Sequence, residues 1–109
     1  MNYRPIGFGE ADIEIEQKML ERDIERAACL YAKSKGVLCY KFTSPAKSGV
    51  PDRIMLYEGK VWFIEFKKPD GKLSRLQEKE IQTIQKHGHA VYVCWDLLEA
   101  KDVIDQHTR

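Results

Sequence analysis

Asp52, Glu65 and Lys67 are the residues of this chain whose types and spacing could do chemistry. Glu65 and Lys67 end the most apolar run of the sequence, Val61 to Lys67, VWFIEFK. Strand side chains alternate with period two, so these two charges project to the same face. Charges at the end of so apolar a run are expensive unless they are paired or used. A tight turn at Glu58-Gly59-Lys60 joins this run to a preceding strand, Asp52 to Tyr57. If the hairpin closes symmetrically around Gly59-Lys60, Ile54 lies opposite Glu65 and Asp52 opposite Lys67, and all three polar residues share one face. A two- or four-residue loop preserves that arrangement, whereas a three-residue loop sends Asp52 to the other face. Two carboxylates on one face suit a divalent cation with oxygen ligands, Mg²⁺ or Mn²⁺ rather than zinc. Such a cation polarises a phosphodiester and acidifies a bound water, while an adjacent ammonium orients that water or offsets charge in the pentavalent transition state. Taken singly, Glu65 and Lys67 read as a surface ion pair and Asp52 as a turn residue after Pro51. Their joint occurrence behind a Ser/Gly-containing loop and a Pro-Asp dipeptide favours phosphodiester hydrolysis.

The elements that must position these residues follow from periodicity. Residues 1–11 carry Pro5, Gly7 and Gly9 and read as an irregular arm, followed by a single domain over 12–109. Asp12 to Lys35 is helical, with Leu20, Ile24, Ala27, Ala28 and Tyr31 forming an apolar stripe and Gly36 the stop. Val37 to Phe42 is a strand, and Thr43 to Pro51 a loop of Ser, Pro and Gly. After the hairpin, Ser74 to Lys86 is a second helix, with Ser74 as N-cap and Gln77 completing a capping box. Ala90 to Trp95 is a fourth strand, and Asp96 caps a last short helix. The order is α-β-β-β-α-β-α. Three consecutive strands imply an antiparallel meander, and a strand reached through a helix adds parallel, so the sheet is mixed. The third strand, apolar on both faces, belongs at its centre.

Bulk properties narrow the setting. The chain has 109 residues, a net charge of +1, and 43% hydrophobic and 32% charged residues. No apolar run approaches the roughly 20 residues needed to span a bilayer. Met1 to Gly9 lacks the charged and then apolar pattern of a secretory leader, so the expected location is cytoplasmic. Residues 33 to 75 hold ten bases against four acids, whereas residues 1 to 26 hold seven acids against four bases. A locally basic middle suits phosphate contacts. Cys29, Cys39 and Cys94 lie among apolar neighbours with no metal-binding spacing, and read as buried small hydrophobes. His87, His89 and His107 read as turn or solvated residues, and Trp62 and Trp95 as core.

Gly49-Val50-Pro51-Asp52-Arg53-Ile54, Phe63-Ile64-Glu65-Phe66-Lys67 and Leu73-Ser74-Arg75-Leu76-Gln77 closely resemble the three signatures of the virus-type replication and repair nuclease (VRR-NUC) family of the PD-(D/E)xK superfamily. The likeness runs from about Leu20 to Trp95. It implies a restriction-endonuclease-like α/β fold, with a central mixed four-stranded sheet flanked by helices, acting on DNA with Mg²⁺ or Mn²⁺. It further implies that Asp52 and Glu65 bind the metal with the Phe66 carbonyl as a further ligand, that Lys67 is the catalytic lysine, and that Gln77 supports the site. The family places a first-helix glutamate at the metal as well. Glu21 lies roughly 70° from the centre of the apolar stripe and Glu25 roughly 110°, at 100° per residue, which favours Glu21. Counting back from Gly36, as in the archaeal junction resolvases, favours Glu25, and both are retained. Lys41, Ser44, Lys47 and Ser48, in the loop leading to Asp52, are candidates to hold phosphate oxygens without reading sequence. Arg53 points away from Asp52 and is a weaker candidate. Stand-alone members resemble Holliday junction resolvases, which work as homodimers, so a homodimer cleaving four-way junctions is expected. A monomer that nicks or cuts flaps, a non-catalytic nucleic-acid-binding module and a protein-interaction domain are the alternatives. Intact Asp52, Glu65 and Lys67 speak against the last two.

Overall fold

Ile24, Ala28 and Ala32 recur every four residues and are fully buried, which makes them the stripe that seats the first helix, α1 (Glu21–Ser34), on the sheet. The structure, a computed structural model, describes residues 20–109. The expected arm at 1–11 and the expected helical stretch before residue 20 lie outside the described residues. Leu20, expected in the stripe, is instead the N-cap of α1 and is 51% exposed. The stripe is therefore rotated from the expected one. At α1's other end, the Gly36 amide donates to the Lys33 carbonyl and the Val37 amide to the Ala32 carbonyl. This is the Schellman pattern that ends a helix.

The remaining elements are β1 (Leu38–Lys41), β2 (Arg53–Tyr57), β3 (Lys60–Phe66), α2 (Arg75–Lys86), β4 (Ala90–Cys94) and α3 (Leu97–His107). The strands form one sheet in the order β1-β2-β3-β4. The first two pairings are antiparallel and β3 with β4 is parallel, as expected of a meander followed by a helical crossover. One sheet face carries Met55, Trp62, Ile64 and Phe66 and is covered by α1 and α3. The opposite face carries Phe63 and Val91 and is covered by α2, through Ile81. Among the described residues no helix is long and apolar enough to cross a membrane.

The β2–β3 hairpin differs from expectation in register. Its loop is Glu58-Gly59, with Tyr57 paired to Lys60. Both loop residues have positive φ, 45° and 81°, as a type I′ turn requires. Glycine adopts that conformation freely, and glutamate accepts it here because the turn matches the twist of the strands. The pairing is thus shifted by two positions from the one centred on Gly59-Lys60. An even shift keeps every side chain on its face.

Three minor expectations are revised. Cys29 and Cys39 are only partly buried and face each other; Cys94 alone is enclosed in the core, at 1% exposure. His107 is not solvated: its ring stacks on Trp62 with 4.0 Å between centroids and lies 2.9 Å from the Tyr92 hydroxyl. Trp95 is half-buried rather than core, and its indole nitrogen donates to the Gly71 carbonyl, holding the loop after β3.

Candidate active site

Arg53 pairs with Ile64, so continuing the ladder by one step sets Asp52 opposite Glu65 rather than opposite Lys67. The observed contacts agree. The Phe66 amide donates to Asp52 Oδ2 at 2.7 Å, tying the carboxylate at the start of β2 to the end of β3. Pro51, just before it, is fully buried and anchors the approach. Gly49 has a φ of 91°, and a Cβ there would lie 2.7 Å from the Leu76 carbonyl oxygen. Only glycine lets the loop press this closely against the first turn of α2.

Glu65 is a charged side chain enclosed by the fold, 2% exposed. Its Oε2 accepts from Gln77 Nε2 at 2.9 Å and lies 3.6 Å from Lys67 Nζ. Burial, the nearby Asp52 carboxylate and the charge of Glu21 push Glu65 up to about 7, against the opposing influence of Lys67. Asp52 is also raised, first by burial, with the Phe66 amide opposing and Glu25 reinforcing the shift. Two carboxylates therefore face each other in a setting that disfavours their charge.

Gln77 serves two partners at once. Its Oε1 accepts from the Ser74 backbone amide at 2.8 Å while the Gln77 backbone amide donates to Ser74 Oγ at 3.1 Å, completing the capping box. Its Nε2 is the donor to Glu65. The capping role and the site role, which compete in a reading of sequence alone, belong to opposite ends of one carboxamide.

The two first-helix glutamates separate. Measured from Ala28, the middle of the buried stripe, Glu21 is displaced by roughly 20° and Glu25 by roughly 60°. Glu25 is held by Arg53, 2.6 Å from Nε, and by Lys41, 3.1 Å from Nζ. Lys41 and Arg53 are direct cross-strand partners, a like-charge pair that destabilises a sheet unless an acid bridges it. Glu25 is that acid. Glu21 makes no ion pair with any described residue, and its charge is felt at Glu65. The Glu25–Arg53–Lys41 network was missed in the sequence; the like-charge pairing of β1 with β2 was the available signal.

Lys41 thus faces α1. Lys47 pairs with Glu80 of α2 at 3.5 Å, Ser44 closes a turn by accepting from the Lys47 amide, and Ser48 is exposed. Asp52, Glu65, Lys67 and Gln77 are brought together, whereas Lys41, Ser44, Lys47 and Ser48 make no hydrogen bond or ion pair with them. Asp52 Oδ1 and Glu65 Oε1 accept no hydrogen bond from the described residues and could hold a cation. Among the described residues, no three Asp, Glu, His or Cys side chains close around one point; the carboxylates are a pair.

The VRR-NUC domain model matches residues 15–95, which includes every element from α1 to β4. A solved structure described as a VRR-NUC domain superimposes with a TM-score of 0.73 at 26% identity, covering 80% of this chain and 96% of that one. Among curated proteins, "Putative nuclease p44" of Acyrthosiphon pisum secondary endosymbiont phage 1 is 38% identical over 74 residues, 67% of this chain and 80% of the phage protein. With the family signature, the fold and the convergence of Asp52, Glu65 and Lys67 all in agreement, the chain belongs to the VRR-NUC family and is a nuclease domain of it.

Proposed function

We propose that the chain is a Mg²⁺- or Mn²⁺-dependent endodeoxyribonuclease that hydrolyses phosphodiester bonds in branched DNA, four-way junctions in particular, as a cytoplasmic homodimer. The observation that carries this reading is the pair of facing carboxylates, Asp52 and Glu65, with Lys67 and Gln77 converging on one oxygen of Glu65. Burial raises both carboxyl groups, reinforced by Glu25 at Asp52 and by Asp52 at Glu65, and an all-oxygen donor set with surplus negative charge fits a small hard cation.

Asp52 and Glu65 would hold that cation, with the Phe66 carbonyl and Glu21 as the further ligands the family resemblance implies. Bound there, a divalent ion supplies Lewis acidity to the scissile phosphate and lowers the pKa of water. Lys67, anchored beside Glu65, orients the attacking water and offsets charge on the phosphoryl oxygens. Gln77 keeps Glu65 in place. Ser44, Lys47, Ser48 and Lys41 hold flanking phosphates, the two lysines exchanging Glu80 and Glu25 for the DNA backbone. The described residues hold one such cluster, whereas a junction is resolved by cutting two opposed strands, which calls for two copies.

The test incubates the protein with labelled junction, flap, duplex and single-stranded DNA in Mg²⁺, Mn²⁺ or EDTA, beside Asp52→Ala and Lys67→Ala. Junction cleavage in the metals alone, reduced about 10²–10³-fold or more in each variant, is expected. Cutting that persists in EDTA or in both variants removes the mechanism. Equal cutting of all four substrates removes only the junction preference.

A further inference from the structure

Helix α1 and the edge strand β1 each bring a thiol to the same point. Cys29 Sγ and Cys39 Sγ lie 2.7 Å apart, both half-buried and both unoxidised. Both line a cleft of about 580 Å³ between helix and strand, so a small thiol reagent can reach them from solvent. The same cleft carries Arg22, Arg26, Lys33, Lys41 and Arg53 against the single acid Glu25, a net cationic lining that favours thiolate and attracts an anionic reagent. Two cysteines in contact from different elements, in an accessible basic cleft, are a reactive arrangement. Cys94, enclosed in the core, is not.

We propose that Cys29 and Cys39 are a redox-active dithiol that undergoes exchange with an anionic small-molecule disulfide of the glutathione type and closes into a reversible staple between α1 and β1. In the contact between the two sulfurs either can donate, so one thiol at a time ionises and attacks while the other resolves. With Cys29 as the thiolate, it attacks one sulfur of the disulfide, giving a mixed disulfide and releasing one glutathione thiolate. Cys39 then gives up its proton to solvent, attacks the Cys29 sulfur and expels the second. Two cysteine thiols are oxidised and one glutathione disulfide is reduced to two thiols. The staple closes a segment whose ends are 10 residues apart, and this short loop fastens α1 to the strand whose Lys41 already binds Glu25. The inference is independent of the nuclease reading.

Reduced, full-length protein is equilibrated with excess glutathione disulfide, quenched in acid, alkylated with N-ethylmaleimide under denaturing conditions and analysed by intact mass and peptide mapping. The expected product is a monomer lighter by two hydrogens, carrying one alkylated thiol at Cys94 and one Cys29–Cys39 cross-linked peptide pair. Dithiothreitol reverses it, and the oxidised form melts at least about 4 °C higher, the direction a covalent loop closure dictates. Cys39→Ser should retain glutathione on Cys29, because nothing displaces it. Three alkylated thiols in the wild type, a persistent glutathione adduct on it, a cross-link to Cys94, or disulfide-linked dimers would each overturn the proposal. The wild-type measurement decides even if a variant fails to fold.

Discussion

Gln77 joins a helix cap to a buried carboxylate, and its two ends can be tested apart. Gln77→Ala removes the donor to Glu65 and half the capping box, and if Glu65 binds metal as proposed, cleavage should fall ~10–100-fold, the usual effect of losing a group that orients such a ligand. Ser74→Ala removes the cap and leaves the donor. It should cost about 1 kcal/mol of stability with activity within a few-fold of wild type. If Ser74→Ala lowers turnover as much as Gln77→Ala, the contact with Glu65 is not what matters. Glu65 makes a second prediction. With its carboxyl raised to about 7, the folded protein keeps a proton that the unfolded chain has already released, across the interval from about 4.5 to 7. The unfolded state binds fewer protons there, so stability falls as pH rises through that interval. Metal-free wild type should therefore lose more Tm between pH 5 and 7.5 than Glu65→Gln does, and Mn²⁺ should restore the difference. Parallel melting curves for the two proteins would contradict this.

At the level of elements, α1 presents two glutamates with different jobs. Glu25→Gln leaves Lys41 and Arg53 facing each other without a full counter-charge, so it should lower stability while sparing the metal dependence of cleavage. Glu21→Gln should do the reverse, raising the Mn²⁺ concentration needed for half-maximal activity about tenfold or more with little change in Tm. A larger metal effect from Glu25→Gln would reassign the residue. Much of this was legible in the chain itself. The strand order, the shared face of Glu65 and Lys67, the Ser74–Gln77 capping box and the helix stop at Gly36 all follow from local chemistry. The hairpin register was misplaced by two because the turn recruits Glu58 into a left-handed conformation that glutamate rarely takes, and its match to strand twist outweighs local preference. The Arg53–Glu25 bridge and the Cys29–Cys39 contact join residues 28 and 10 apart across elements, where no periodicity reaches. Leu20 misled for a different reason: its spacing fits the stripe, but it stands at the first turn, beyond the edge of what the sheet covers.

Over the whole molecule, the two sheet faces are unequal. Among the described residues, twelve buried ones join α1 and α3 to their face, whereas three hold the α2 face together, so α2 should open more readily than the rest. Amide exchange in Thr83–Lys86 is expected to outpace exchange in β3 by well over tenfold, and equal protection would show the thin face to be as stable as the thick one. The site lies on that thinner side, where Gly49 packs against Leu76 and Gln77 reaches Glu65. Its geometry therefore depends on α2 staying docked. Gly49→Ala, which combines a strained φ with a clash against backbone, should cost about 1–3 kcal/mol and lower activity with it. The arrangement of the two carboxylates has one last consequence, for the choice of ion. Phe66 engages one oxygen of Asp52, and Gln77 with Lys67 engage one oxygen of Glu65. Each carboxylate can then offer a cation a single bond. Monodentate donors suit a six-coordinate ion that keeps several waters, and they suit poorly one that draws on chelating carboxylates to reach seven or eight ligands. Calorimetry should find Ca²⁺ bound more weakly than Mn²⁺, and equal affinity would mean that one of those protein hydrogen bonds gives way when the ion arrives.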